Sequence, residues 1–201
     1  AYFMTDFTDM QLQGFDPVTG SPITNNAAES EISGIEVELS GLIGEGFRYN
    51  LGASWLDHQF TRYAIEVFDP TIQGGPPFRL VDKSGDRIGV IPEYNYHIGL
   101  SYEWQLANSG SLTLGVDASG TDETITVFNT LWSNAYDVVD LRLAWDSGEN
   151  WNAAFWVRNL TDEEYYRGGG PVPDINDTIS RVGLLSDPQI FGISLGIEFG
   201  D

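Results

Sequence analysis

The side chains of this sequence that could do chemistry fall into a few small groups. His58 and His97 are its histidines. A metal site would need convergent His or carboxylate partners, and a nucleophilic site would need a Ser and an Asp around the imidazole. His58 has Asp57 beside it, and His97 lies on a strand face with no nucleophilic serine in reach. No such constellation is legible, so both histidines read as structural or solvated and no enzyme activity is expected. Asp174-Ile175-Asn176-Asp177 offers oxygen ligands at calcium-like spacing, yet it lacks the glycine and the distal glutamate of an EF-hand. Its Asx residues read as turn formers, and no resident metal or cofactor is expected. The last group is aromatic: Phe68 and Phe78 with Arg79, Phe128 and Trp132, and Tyr165 and Tyr166 with Arg167. Rings beside a guanidinium suit an anionic, partly aromatic metal chelate or the face of a sugar. These are the candidate ligand-binding residues; the competing reading is loops packing on one another and on lipopolysaccharide.

The elements that must hold these groups read as β-strands. Val139, Leu141, Leu143 and Trp145 alternate with Asp140, Arg142, Ala144 and Asp146, the period of two of a strand with one apolar side. After a turn at Asp146 to Asn150 the run Trp151 to Leu160 returns, and Ile190 to Phe199 closes the chain with Phe191, Ile193, Leu195, Ile197 and Phe199 on one face. Upstream the same unit recurs over Glu31 to Leu42, Phe47 to Phe60, Arg87 to Trp104 and Leu112 to Thr126. Tyr2 to Leu12 is a first strand whose faces are ambiguous. Gly14 to Ser30 is a polar turn-rich segment, and Thr61 to Asp86 a long loop interrupted by Gly74-Gly75-Pro76-Pro77.

Eight strands result, and their connections alternate. Short turns follow the second, fourth and sixth; longer loops follow the first, third, fifth and seventh. A soluble sandwich has no reason to collect its long loops at one end, whereas a transmembrane β-barrel does. The apolar faces carry aromatics near strand ends, where an interfacial girdle belongs. The opposite faces carry Gly, Ser, Thr, Asn and charges instead of a second apolar layer. With 23 Gly and 13% aromatics the chain is all-β. No stretch of about 18 apolar residues could form a membrane helix. Thirty Asp plus Glu against nine Lys plus Arg give a net charge of −21, which leaves no basic stripe for nucleic acid. The absence of Cys excludes disulfides and thiolate metal sites.

In lipid every backbone donor and acceptor must be paired, so an eight-stranded sheet must close or be completed. A self-closed eight-stranded barrel has an interior just filled by side chains. Here it would hold Glu36, Glu38, Glu103, Asp117, Asp140, Asp146 and Glu198 against Arg48, Arg142 and Arg158, a costly surplus of buried carboxylates. A wider lumen removes that cost. The even strand count also places Ala1 on the periplasmic side.

Val157-Arg158-Asn159-Leu160-Thr161-Asp162-Glu163-Glu164-Tyr165-Tyr166 resembles the N-L-T-D/N-x-x-Y segment on the penultimate strand of TonB-dependent outer-membrane receptors. Gly34-Ile35-Glu36-Val37-Glu38-Leu39 resembles their G-x-E-x-E-x strand. Ile91-Pro92-Glu93-Tyr94 through Tyr102-Glu103 resembles their P-x-Y strand, and Phe191 to Phe199 their last strand. The resemblance implies that residues 1–201 are the C-terminal portion of a plugged barrel of roughly 22 strands in the Gram-negative outer membrane. Such barrels import scarce nutrients, commonly ferric siderophores or cobalamin and in some members carbohydrates, energised through TonB. The sequence departs from the family pattern in containing neither plug domain nor TonB-contacting box, and in placing Gly200 and Asp201 after the terminal aromatic. The implied partners are the remaining strands and plug, the TonB complex, lipid and lipopolysaccharide, and a small-molecule ligand. The alternatives are a self-closed eight-stranded barrel with a structural or adhesion role, and a soluble carbohydrate-binding β-domain.

Overall fold

Period-two alternation folds here into one large antiparallel sheet. The computed structural model describes residues 1–15, 22–69, 71–72, 74, 78–107, 110–125, 132–173 and 179–199, and all its regular elements are strands. They are β1 (Tyr2–Phe15), β2 (Pro22–Ile43), β3 (Phe47–Arg62), β4 (Ala64–Phe68), β5 (Phe78–Asp82), β6 (Tyr94–Leu106), β7 (Gly110–Thr121), β8 (Thr124–Ile125), β9 (Trp132–Ser133), β10 (Tyr136–Asp146), β11 (Trp151–Arg158), β12 (Tyr166–Pro173), β13 (Ile179–Leu185) and β14 (Ile190–Ile197). Eight of them pair in chain order, β1-β2-β3-β6-β7-β10-β11-β14, as a meander whose edges are β1 and β14. These are the eight strands expected from the sequence. The others form separate hairpins, β4–β5, β8–β9 and β12–β13, inside the long connections.

Directly opposed residues of an antiparallel pair share a face, so the registers can be read across the sheet. Phe191, Val157, Leu141, Val116, Leu100 and Tyr49 form one apolar row. Gly192, Trp156, Arg142, Gly115, Ser101 and Arg48 form the neighbouring row on the other side. The apolar side is uncovered: Trp55 is 66% exposed, Ile193 74% and Leu195 77%. Burying such side chains is worth about 1.5–3 kcal/mol each, so a face with this much exposed apolar surface calls for an apolar covering.

The β2–β3, β6–β7 and β10–β11 connections lie at one end of the sheet and the long ones at the other. Gly44 takes φ 64° in the first of these turns, a conformation glycine adopts without a Cβ penalty. Aromatics mark two levels. Tyr102 and Trp104 (ring centroids 4.7 Å apart), with Trp145 and Trp151, lie beside the short turns. About ten residues further along, the span that a tilted strand needs to cross a bilayer, Ile35, Trp55 and Tyr94 share a row, the two rings 6.5 Å apart.

Past that upper row the chain departs from its predicted boundaries. β1 enters opposite Ile35, level with the upper aromatics, not beside the short turns as the even count implied. In the segment 14–30, expected as polar turn, the described residues 14–15 and 22–30 are strand: β1 and β2 stay paired, with Gln11 and Leu12 opposite Asn26 and Asn25. The run expected to begin at Arg87 becomes strand only at Tyr94. Residues 84–93 instead fold back on β3, putting Ile88 with Phe60 and Ala28 in a small core flanked by Met10, Ile32, Tyr63 and Ile91. Pro92 has no N–H to donate to a ladder, and Ile88 and Ile91 gain more burial there than on an edge.

Candidate functional site

At the long-loop end of the sheet three of the candidate residues, Tyr165, Tyr166 and Arg167, come together, and the geometry starts from Asn159. β11 ends because Asn159 turns to φ 51°, a left-handed conformation that asparagine tolerates better than most residues. Its buried side chain then satisfies three backbone groups. Nδ2 donates to the carbonyls of Glu163 (2.9 Å) and Asp187 (3.0 Å), and Oδ1 accepts from the Glu163 N–H at 2.8 Å. The Asn159 N–H itself donates to Asp140 Oδ1 at 2.8 Å, tying the turn to β10. Asp162, also at positive φ, accepts the Gln189 N–H at 2.7 Å, tying it to the start of β14. The Asn159 to Glu163 segment is thus a hydrogen-bonded knot that joins three strands and fixes where the next residues emerge.

What emerges is Tyr165, Tyr166 and Arg167. Tyr165 stacks on Tyr136 with centroids 3.6 Å apart and planes 11° from parallel. Tyr136 shares a polar-face row with Thr121 and Asn95, so the ring pair stands at the mouth side of the sheet. The Ser133 hydroxyl donates to the Tyr166 carbonyl at 2.7 Å, fastening the β8–β9 hairpin to β12. Between these elements lies a cavity of about 530 Å³ lined by Thr121, Ser133, Tyr136, Tyr165, Tyr166 and Arg167 among others. Its lining combines the aliphatic side chains of Val90 and Ile125 with phenol rings, hydroxyls, the Arg167 side chain and Gly168-Gly169.

Of the sequence-predicted residues the structure brings together Tyr165, Tyr166 and Arg167. Phe78 and Arg79 lie on β5, opposite Phe68 and Val67 of β4, in a different hairpin. Trp132 lies on β9, while Phe128 and the Asp174 to Asp177 motif fall outside the described residues. Neither arginine presents an isolated positive charge: Arg79 pairs with Asp69 at 3.5 Å and Arg167 with Asp187 at 3.1 Å. Tyr136, Thr121 and Ser133 were not legible as site residues, because only the pairing of distant strands places them beside Tyr165.

The histidines have local roles. His58 is buried on the outer part of β3 and its Nδ1 accepts the Ile88 N–H at 3.2 Å, so it pins the folded-back segment to the sheet. Burial holds its pKa below the ordinary value, and the Arg87 guanidinium acts in the same direction. His97 lies beside Asp117, both packed over Gly99. Arg87 anchors the same segment to the end of β7 through Asp122 at 2.6 Å and the Glu123 carbonyl at 2.7 Å.

The family model for the TonB-dependent receptor-like β-barrel matches residues 1–160. The chain belongs to the TonB-dependent receptor β-barrel family. In transmembrane barrels the apolar side of the wall faces outward, the polar side faces the lumen, and the longer loops gather at the outer mouth. Solved structures agree on the fold. The ferric yersiniabactin uptake receptor FyuA of Yersinia pestis superposes with a TM-score of 0.71 at 19% identity, over 99% of this chain and 27% of that one. The siderophore receptor PiuA of Acinetobacter baumannii gives 0.69 at 20% identity, over 98% and 25%. The ferripyoverdine receptor of Pseudomonas aeruginosa gives 0.62 at 18%, over 98% and 24%. The chain thus spans about a quarter of the length of these receptors. No curated protein matches the chain in sequence.

Proposed function

We propose that residues 1–201 are the C-terminal portion of the barrel of an outer-membrane active-transport receptor for a scarce nutrient, a ferric siderophore first among candidates, energised through TonB. The observation that supports this reading best is that the Tyr136–Tyr165 pair, Tyr166 and Arg167 line one cavity at the long-loop end of the sheet. Family membership and the siderophore receptors among the structural neighbours support the same class of cargo. The remaining strands, a plug domain and the TonB complex are the partners this reading requires.

The test is tryptophan quenching of the natural receptor in detergent, titrated with ferric siderophores, cobalamin and oligosaccharides, followed by uptake of the responding ligand into cells. The expected result is saturable quenching by one class and uptake that stops when the proton gradient is collapsed. Absence of binding by every class, or uptake indifferent to the gradient, overturns the reading.

A further inference from the structure

The charges around the mouth cavity say what kind of ligand it takes, an inference that rests on the receptor reading above. Arg167 is the cation of the lining, and its guanidinium is held by Asp187. Carboxylates flank the lining segments: Asp122 and Glu123 sit between Thr121 and Thr124, and Glu163 and Glu164 precede Tyr165. Arg87 is taken up by Asp122 and Glu93. Elsewhere at the outer end, Arg62 pairs with Glu29 at 2.6 Å, Arg79 with Asp69 and Lys83 with Asp86 at 2.8 Å. Among the described side chains beyond the upper aromatic row, each Lys or Arg thus carries a carboxylate partner, and carboxylates remain in surplus. Within the described residues, a surface of this sign repels a polyanion and offers it only cations already shared with carboxylates. Besides Arg167 the cavity offers aromatic and aliphatic faces, hydroxyls and two glycines, a lining that suits uncharged molecules carrying oxygens on an apolar frame.

We infer that the cavity of Tyr136, Tyr165 and Tyr166 receives an uncharged, oxygen-rich ligand, a neutral metal chelate or a glycan, and that Asp187 sets this preference by neutralising Arg167. This reverses the anionic chelate that the rings and arginines suggest when read without their partners.

The experiment compares a neutral ferric trihydroxamate, a trianionic ferric tris-catecholate and an uncharged oligosaccharide on the natural receptor at low and high salt. The two neutral probes distinguish chelate from glycan. Expected is saturable binding of one neutral probe that does not weaken with salt, and weaker binding of the tris-catecholate. Asp187→Asn should then improve tris-catecholate binding by roughly tenfold at low salt, and Arg167→Gln should cancel that gain. Asp187→Asn keeps the backbone carbonyl that Asn159 uses, and unchanged heat-dependent gel mobility checks the fold. Tighter wild-type binding of the tris-catecholate, weakening as salt rises, overturns the inference while leaving the receptor reading intact. So does an Asp187→Asn variant with an unchanged preference. If none of the probes, cobalamin included, binds, the receptor reading itself fails.

Discussion

At the scale of single residues, Asn159 and His58 show how a side chain can matter without touching a ligand. The sequence motif around Asn159 is recognisable, yet its physical content is hydrogen bonding: one buried amide serves the Glu163 N–H and two carbonyls while its backbone holds positive φ. Asn159→Ala removes those partners and leaves the groups orphaned, at an expected cost of about 2–4 kcal/mol. Asn159→Asp keeps the acceptor but sets a charge against two carbonyls, and should be no better. The apparent thermal midpoint in detergent checks both, and a midpoint equal to wild type for Asn159→Ala would remove the knot from the account. His58 makes a pH-dependent case. Its folded pKa lies below the ordinary 6.5, so the unfolded segment binds protons more readily than the folded one. Stability is then fully present above about pH 6.5 and declines as pH falls from there toward the folded pKa. Protection of the Ile88 amide against hydrogen exchange, corrected for intrinsic rates, should drop between about pH 7.5 and pH 5.5, and His58→Gln should flatten that drop. Equal protection of the wild type at both pH values would contradict it.

At the scale of elements, what was legible followed from period two. The eight wall strands and the three short turns could be read because lipid on one side and polar surroundings on the other impose alternation over whole strands. The same logic separates two substitutions on neighbouring rows. Leu100 belongs to the lipid row with Val116 and Tyr49, and Leu100→Arg near mid-bilayer is expected to cost about 2–4 kcal/mol. Asp117 lies on the lumen face directly opposite Asp140, and Asp117→Arg converts that repulsion into a pair, with little loss of folding. The yield of heat-modifiable barrel in outer membranes measures the contrast, and equal yields would refute the facing assignment. The hairpins in the long connections were not legible. Ile65 and Val81, opposite one another in β4–β5, are too short a pattern to register, and the Gly-rich β12 contradicts strand propensity. In both cases pairing with a partner strand, not the local sequence, decides the structure. Arg87 to Ile91 went the other way: an apolar run that reads as strand is drawn off into the small core beside Phe60.

At the scale of the whole molecule, the eight-stranded sheet ends in two edges whose chemistry is demanding. β14 presents Phe191, Ile193 and Leu195, each more than 70% exposed, on a strand paired only on the β11 side among the described residues. β1 is likewise paired on its β2 side. In hydrocarbon each unpaired backbone group costs several kcal/mol, so an open sheet of this width is not a stable membrane species. The surplus of carboxylates on the lumen face, with Asp117 facing Asp140, argues equally against curling the sheet into a narrow closed tube. Residues 1–201 expressed alone in lipid vesicles should therefore remain protease-sensitive and show no heat-modifiable band. Co-folding with a polypeptide supplying the complementary strands of the same receptor should give a protease-resistant barrel and that band. Should the isolated chain insert and resist protease unaided, its edges must have found each other, the lumen carboxylates must be protonated or paired, and a wide transport barrel would no longer be required.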